Sequence, residues 1–312
     1  MKKLTKQDFQ EIALWMHRNA RPLEMALWQC RFENGSADAV LRELSFYQNS
    51  DGGFGNALEP DCWNPESSPY ATGQAIGLLE SAGFRDVRHP LMKGIFRFLE
   101  STEHCSDDGW YFSIASNNDW PHAPWWTYSP ESNKLEGIGL TAVLCAFILT
   151  NMAESQGLYK RALGYCELLM ERLGGEHFGD MGIGGYCKLL ESLKTTGLSQ
   201  RFDAASIEKR LKRLVYDSIE RDTSKWVFYG VRPSNYILSP DSIYYDDNRG
   251  IVETELDYLI DTRPRGGVWP ITWSWFDLNE KYPKEFAISE NWWRAVKAIE
   301  KLSFLRNFSR LD

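Results

Sequence analysis

The chain has no Cys-x-x-Cys pair, no block of five or six basic residues, and no apolar run long enough to cross a bilayer. Each absence removes a class of protein. Its six cysteines, Cys30, Cys62, Cys105, Cys145, Cys166 and Cys187, are scattered, several of them within apolar helical patterns. That usage predicts reduced, mostly buried thiols rather than a disulfide framework or a zinc finger. The formal charge is −8, from 35 basic and 43 acidic residues, which argues against a nucleic-acid groove or an anionic membrane as partner. The longest apolar stretch, Ile138 to Leu149, falls well short of the ~18–20 residues of a membrane span. The first residues, MKKLTKQDFQEIALWMH, start basic but lack the apolar core of a signal peptide. A cytoplasmic location is expected from these features. The partner left standing is a small-molecule ligand, and the oligomeric state is open.

What the chain does have is aromatic side chains. They make up 14% of it, with 13 tryptophans, inside an otherwise ordinary balance of 43% hydrophobic and 25% charged residues. They recur in a rhythm: an amphipathic helix, a loop rich in Gly and Trp, then a helix of small residues. Leu41–Gln48 leads to Asp51-Gly52-Gly53-Phe54-Gly55, and Ser68-Pro69 then supplies an N-cap and first-turn proline for a helix ending at Gly83. Pro90–Ser101 leads to Asp107-Asp108-Gly109-Trp110 and on to an apolar helix from about Leu135 to Met152. Leu158–Leu173 leads to the Gly174–Asp180 loop and a helix over Gly182–Thr196, with Gly197 as its stop. Ala204–Arg221 leads to Lys225-Trp226, Ile251–Asp261 to Gly266-Gly267-Val268-Trp269, and a closing helix runs from Glu290 to about Phe308. Pro233 and Pro240 leave little room for an inner helix after Trp226. Helices of the first kind carry one apolar stripe, and helices of the second kind carry few charges and pack on most sides. Such an inner and outer set predicts an all-α closed array of roughly five to six helical hairpins, spanning residues 1–312 as one domain.

Gln48-x3-Gly52-x-Phe54 resembles the Gln-x3-Gly-x-Trp turn of the terpenoid cyclase and protein prenyltransferase superfamily, the α/α toroids. Asp51–Gly55 followed by Pro69-Tyr70-Ala71-Thr72 is similar to the Gly-Gly-Phe-Gly loop and next inner helix of prenyltransferase β subunits, and Gly267-x-Trp269 repeats the turn. The stretch DGGFGNALEPD with Pro-Glu-Ser-Ser-Pro after it resembles bacterial members of the group. The resemblance implies an α/α toroid with a central aromatic-lined cavity for a small apolar or anionic ligand. The superfamily's reactive motifs are absent. No Asp-x-Asp-Asp occurs, Asp246-Asp247 is followed by Asn-Arg-Gly rather than x-x-Asp, and Asp61-Cys62 is adjacent where a zinc site needs Asp-x-Cys. No established metal motif remains, and a divalent cation as cofactor is left open.

Four clusters carry the candidate chemistry. Glu59-Pro60-Asp61 fixes two carboxylates, which suits acid–base work or a helix cap. Asn117–Trp126 places Asp119 and His122 among Trp120, Trp125 and Trp126, either as a cleft lining or as aromatic filler. Trp269 and Trp273 offer a further aromatic wall, or simple packing. Asp246-Asp247 beside Tyr245 either faces the same mouth or caps a helix starting near Gly250. The catalytic candidates are therefore Glu59, Asp61, Asp119, His122 and Asp247. The ligand-binding candidates are Phe54, Trp63, Trp120, Trp125, Trp126, Trp269, Trp273 and Tyr245. If the inner helices run parallel, their N-termini, with Gly137, Gly182 and Gly184, favour an anionic ligand at one rim. Three readings follow: a cyclase- or prenyltransferase-like enzyme with Asp61, Asp119 or Asp247 as proton donor, a non-catalytic binding toroid or partner subunit, and a carbohydrate hydrolase or lyase.

Overall fold

Caps decide where the helices begin. In the computed structural model, which describes residues 1–312, the chain forms twelve α-helices and one short hairpin. In order these are α1 (Lys6–Asn19), α2 (Pro22–Phe32), α3 (Ala37–Ser45), α4 (Pro69–Ser81), α5 (Pro90–Glu100), β1 (Cys105–Ser106), β2 (Gly109–Trp110) and α6 (Pro130–Asn151). There follow α7 (Gly157–Arg172), α8 (Gly182–Thr195), α9 (Ala204–Ser218), α10 (Tyr245–Thr262), α11 (Leu278–Lys281) and α12 (Pro283–Asn307). Ser68 caps α4 by accepting from the Ala71 N–H at 3.1 Å, and Gly83, at φ +75°, ends it as expected. Ser129 caps α6 in the same way, accepting from Ser132 N–H at 3.3 Å, so α6 starts five residues before the apolar pattern at Leu135. Between α9 and α10 only two 3-10 turns occur, Thr223–Val227 and Pro233–Asn235, in keeping with the prolines there.

The chain divides into two compact units, residues 40–211 and residues 1–39 with 212–312. In the 40–211 unit, α6 packs against α4, α7 and α8 and is buried almost all round from Gly137 to Leu149. It is the one helix with the length and apolarity of a membrane span, and 67% of its apolar stretch is buried, as in a core helix. Glycine sets its closest crossing. A Cβ on Gly185 would lie 2.3 Å from the Gly139 carbonyl oxygen, and one on Gly139 would lie 2.5 Å from Met181 backbone. In the other unit α12 packs on α1, α2 and α11, and α10 on the turn at Pro233–Asn235. There Leu4 and Leu311 pair, and the buried Arg310 donates to Asp257 (2.7 Å) and Glu253. All six cysteines are free thiols; Cys145 and Cys166 are buried, while the other four are half-buried.

The turn at residues 48–55 is locked by its own side chains. Gln48 Nε2 donates to the Gly52 carbonyl (2.9 Å) and to the Leu91 carbonyl of α5 (3.0 Å). Asp51 Oδ1 accepts from Gly53 N–H (2.9 Å) and from the Ser67 hydroxyl (2.8 Å). Phe54 is fully buried and pairs by backbone with both Gln48 and Ser68, while its N–H donates to Thr72 Oγ1 at 3.2 Å. Burying that ring is worth about 1.5–3 kcal/mol, which explains an aromatic residue in a glycine turn. Gly52 sits at φ +97°, and a Cβ there would meet the Gly94 carbonyl oxygen at 2.2 Å. Gly52→Ala combines a left-handed conformation with a backbone clash, so it is expected to cost more than ~2 kcal/mol in urea unfolding. A variant as stable as the parent would show that α5 does not rest on this turn.

Candidate functional site

Two loops of the 40–211 unit hold most of the predicted residues, and backbone pairing joins them. Trp63 N–H donates to the Pro121 carbonyl (2.9 Å) and Ala123 N–H to the Asp61 carbonyl (2.8 Å), which sets Cys62 opposite His122. Behind this pairing lies a buried amide network. Asn64 Nδ2 donates to Asn117 Oδ1 (2.9 Å) and to Ser116 Oγ (2.9 Å), while Asn117 Nδ2 donates to the Trp126 carbonyl (3.1 Å). Ser116 in turn donates to Glu66 at 2.6 Å. Buried polar groups persist only when hydrogen bonded, so these amides fix the loops in one arrangement. Before Glu59, Asn56 and Ala57 both stand at φ 56°, an uncommon conformation for alanine that stores local strain.

Glu59 and Asp61 are buried, at 4% and 1% exposure, and one Glu59 oxygen accepts the Asp61 backbone N–H. Neither caps the following helix, since Ser68 does. Glu59 lines a cavity of about 10 Å³ with Cys62, Asn64, Tyr70 and Trp126, room for about one water molecule. Trp126 is buried, stacks on Phe112 (4.7 Å, 19°) and meets Tyr70 edge-on (4.3 Å). Its indole N–H has no acceptor in the protein. His122 is buried with both ring nitrogens engaged: Nδ1 meets the Trp120 carbonyl (2.6 Å) and Nε2 meets Thr127 Oγ1 (3.1 Å). The carbonyl can only accept, so Nδ1 carries a proton and the ring acts as a brace for its own loop. Asp119 is exposed. Trp120 and Trp125 are also exposed, at 41% and 37%, and Trp63 is half-buried with its indole N–H given to the Pro60 carbonyl (3.1 Å).

Sequence reasoning did not find a second cavity in this unit, about 180 Å³, walled by the β1–β2 hairpin, the start of α6 and the end of α7. Trp110, Tyr111, Tyr128, Lys134 and Arg172 line it. Only the Asp-Asp-Gly-Trp signature at Trp110 could have pointed there, because Arg172 lies on another helix.

The remaining predicted residues belong to the other unit. Asp247 is exposed in the first turn of α10, which begins at Tyr245 and not near Gly250, where acids favour the helix dipole. Tyr245 donates its hydroxyl to Glu253 (3.2 Å) and packs on Phe308. Trp269 is buried, with its N–H on the Leu259 carbonyl (2.9 Å), and Trp273 meets Trp293 edge-on at 5.3 Å. The face of Trp269 carries Lys301, whose ammonium lies 5.4 Å from the ring centre. Burial first, then the charges of Arg232 and Lys297, pull the Lys301 amine down to about 7. Glu255 beside it is pushed up by burial although Ser234 donates to it twice (2.8 and 2.6 Å). No group of three His, Cys, Asp or Glu side chains is placed to hold a metal ion.

Comparison with protein families, with curated proteins and with solved structures finds no match. The chemistry therefore rests on the chain's own side chains.

Burial, and then the charges of Glu59 and Asp61, push the Cys62 thiol up to about 12. It stays protonated between pH 7 and 9, so its alkylation at pH 8 should run roughly a thousandfold below that of a free thiol. Peptide mass spectrometry after iodoacetamide treatment reads this, and labelling at the free-thiol rate would refute the environment described. Lys301 gives a second test. Its amine titrates near 7 when folded and near the ordinary lysine value of 10.5 when unfolded, so the unfolded chain holds the extra proton between them. Stability from this group therefore rises with pH across that window and is lowest below it. Lys301→Met should be more stable than the parent at pH 6, with the gain shrinking by pH 9.5, in paired urea melts.

Proposed function

We propose that this chain is a saccharide-directed protein of the α/α-toroid type, with its ligand site on the paired loops of the 40–211 unit. What carries the reading is the exposure of Trp120 and Trp125 on a loop whose conformation is already fixed. Exposed indoles on a mobile loop would be unremarkable. Here backbone pairing with residues 61–63 and the Asn64–Asn117 amides hold the loop before any ligand arrives. Preorganised indole faces bind flat, hydroxylated rings with little ordering cost. The toroid assignment draws on the Gln48–Gly52–Phe54 turn and the run of helices and Gly/Trp loops. Isoprenoid chemistry, which the turn resemblance also implies, calls for a long apolar chamber, whereas the cavity beside these loops is about 10 Å³ and is bordered by Glu59, Asn64, Glu66 and Asn117.

Catalysis is a second reading, favoured by Glu59. Its carboxylate borders a water-sized cavity beside the unpaired Trp126 N–H and just after a strained Asn56-Ala57 pair. A buried carboxylate with room beside it for one water is what general-base hydrolysis needs.

A melting-temperature screen with neutral and uronic oligosaccharides, set against isoprenoid diphosphates with and without magnesium, tests the proposal. A saccharide should raise the melting temperature, since a ligand at ~100 times its Kd adds about 2.7 kcal/mol. Trp120→Ala and Trp125→Ala should each weaken that binding about tenfold and leave the unliganded melting temperature unchanged. A response to isoprenoid diphosphates alone would overturn the reading. Release of reducing ends by the parent, lost in Glu59→Gln with binding kept, would establish hydrolysis; binding without product would leave a binding protein.

A further inference from the structure

The 180 Å³ cavity shares no lining residue with the Glu59 site. Its existence follows from local sequence. Gly109, at φ +132°, folds the hairpin over Thr141, whose hydroxyl oxygen accepts the Trp110 backbone N–H at 3.0 Å. Gly137 leaves the wall of α6 bare, because a Cβ there would stand 3.0 Å from the Trp110 carbonyl oxygen. Asn133, one turn earlier, is fixed by two bonds to the Ser113 backbone (2.8 and 2.9 Å). Tyr165 meets the Trp110 ring edge-on at 4.9 Å and holds it in place. The cavity is thus framed by groups that already have partners.

The groups left over are donors. Trp110 is 2% exposed, yet its indole N–H has no acceptor in the protein. An orphaned donor of this kind costs about 1–3 kcal/mol unless something else accepts its hydrogen bond. Lys134 stands at the rim and makes no ion pair, whereas Arg172 is paired with Asp108. The two cations and one carboxylate leave an excess of one positive charge. Tyr111 and Tyr128 add aromatic wall. A volume of this size accepts a single six-membered ring, since ~150 Å³ is enough for benzene.

We propose that this cavity binds a ring-sized organic carboxylate, its anionic group on Lys134 and Arg172 and a polar atom of the ligand accepting the Trp110 N–H. An aromatic acid and a sugar acid share that chemistry.

Calorimetric titration of the full chain with benzoate and with glucuronate, and with benzyl alcohol and glucose as uncharged counterparts, separates the two sources. One acid should bind with a Kd at or below ~1 mM, and its uncharged counterpart at least ~10-fold more weakly. Lys134→Met, at an exposed position, should keep the parent's melting temperature and weaken the acid about tenfold. Trp110→Phe, which keeps a ring and removes the donor, should weaken it further. Trp120→Ala should leave it unchanged, which keeps this site separate from the saccharide platform. Failure of both acids to bind, equal binding of the uncharged compounds, or indifference to Lys134→Met would each overturn the proposal.

Discussion

A long loop can be buried only if its peptide and side-chain polar groups are answered, and in the 40–211 unit Asn64 and Asn117 do much of that answering. One amide gives its hydrogens to the other and to Ser116, and the second passes a hydrogen on to the Trp126 carbonyl. Without them the Pro121 and Asp61 carbonyls would still accept from Trp63 and Ala123, but residues 64–68 would be held to the loop at 116–126 chiefly by the Ser116–Glu66 bond. The position of Glu59, the seat of Trp126 and the exposure of Trp120 and Trp125 all follow from this exchange. A low-dielectric surrounding makes such a network strong when complete and costly when broken, which is why it specifies one geometry.

The two units use aromatic side chains for different ends. In the 40–211 unit Tyr70, Phe112 and Trp126 form a tight triad beside the Glu59 cavity, and indoles are left facing solvent. In the other unit the rings carry cations instead: Arg232 lies over Trp226 and Tyr258, Lys297 over Trp273 and Trp293, and Lys301 over Trp269. Burial first, and then the neighbouring charges of Arg232 and Lys297, explain a lysine that gives up its proton near neutrality.

The sequence spoke clearly where the signal was local. Ser68-Pro69 and Gly83 bracket α4, and Gly197 stops α8, as their capping chemistry requires. Helices α6, α10 and α12 begin five to seven residues earlier than expected, at Pro130, Tyr245 and Pro283 rather than near Leu135, Ile251 and Glu290. In α6 and α10 the opening turns are polar, so hydrophobic periodicity starts late, while a proline opens α6 and α12 and Ser129 caps α6. Glu59 and Trp126 could be named from composition, but their meeting could not. It depends on backbone groups and on two asparagines 53 positions apart, which leave no periodic trace. The cavity at Trp110 was hidden for a related reason: Lys134 and Arg172 look like ordinary surface cations in their own helices, and only the packing of α6 against α7 gives them a common target.

The early start of α6 has a mechanical side. Its first turns, with Asn133, Lys134 and Gly137, form a cavity wall, and its later turns are the most enclosed stretch of the 40–211 unit. Gly139 and Gly185 lock that helix to α8 with no room for sliding. A rigid rod with one end at a cavity and the other in the core transmits load along its length. Whatever steadies residues 130–137 also slows the opening of residues 138–149, so occupancy at the surface would register as slower amide hydrogen exchange deep in the core.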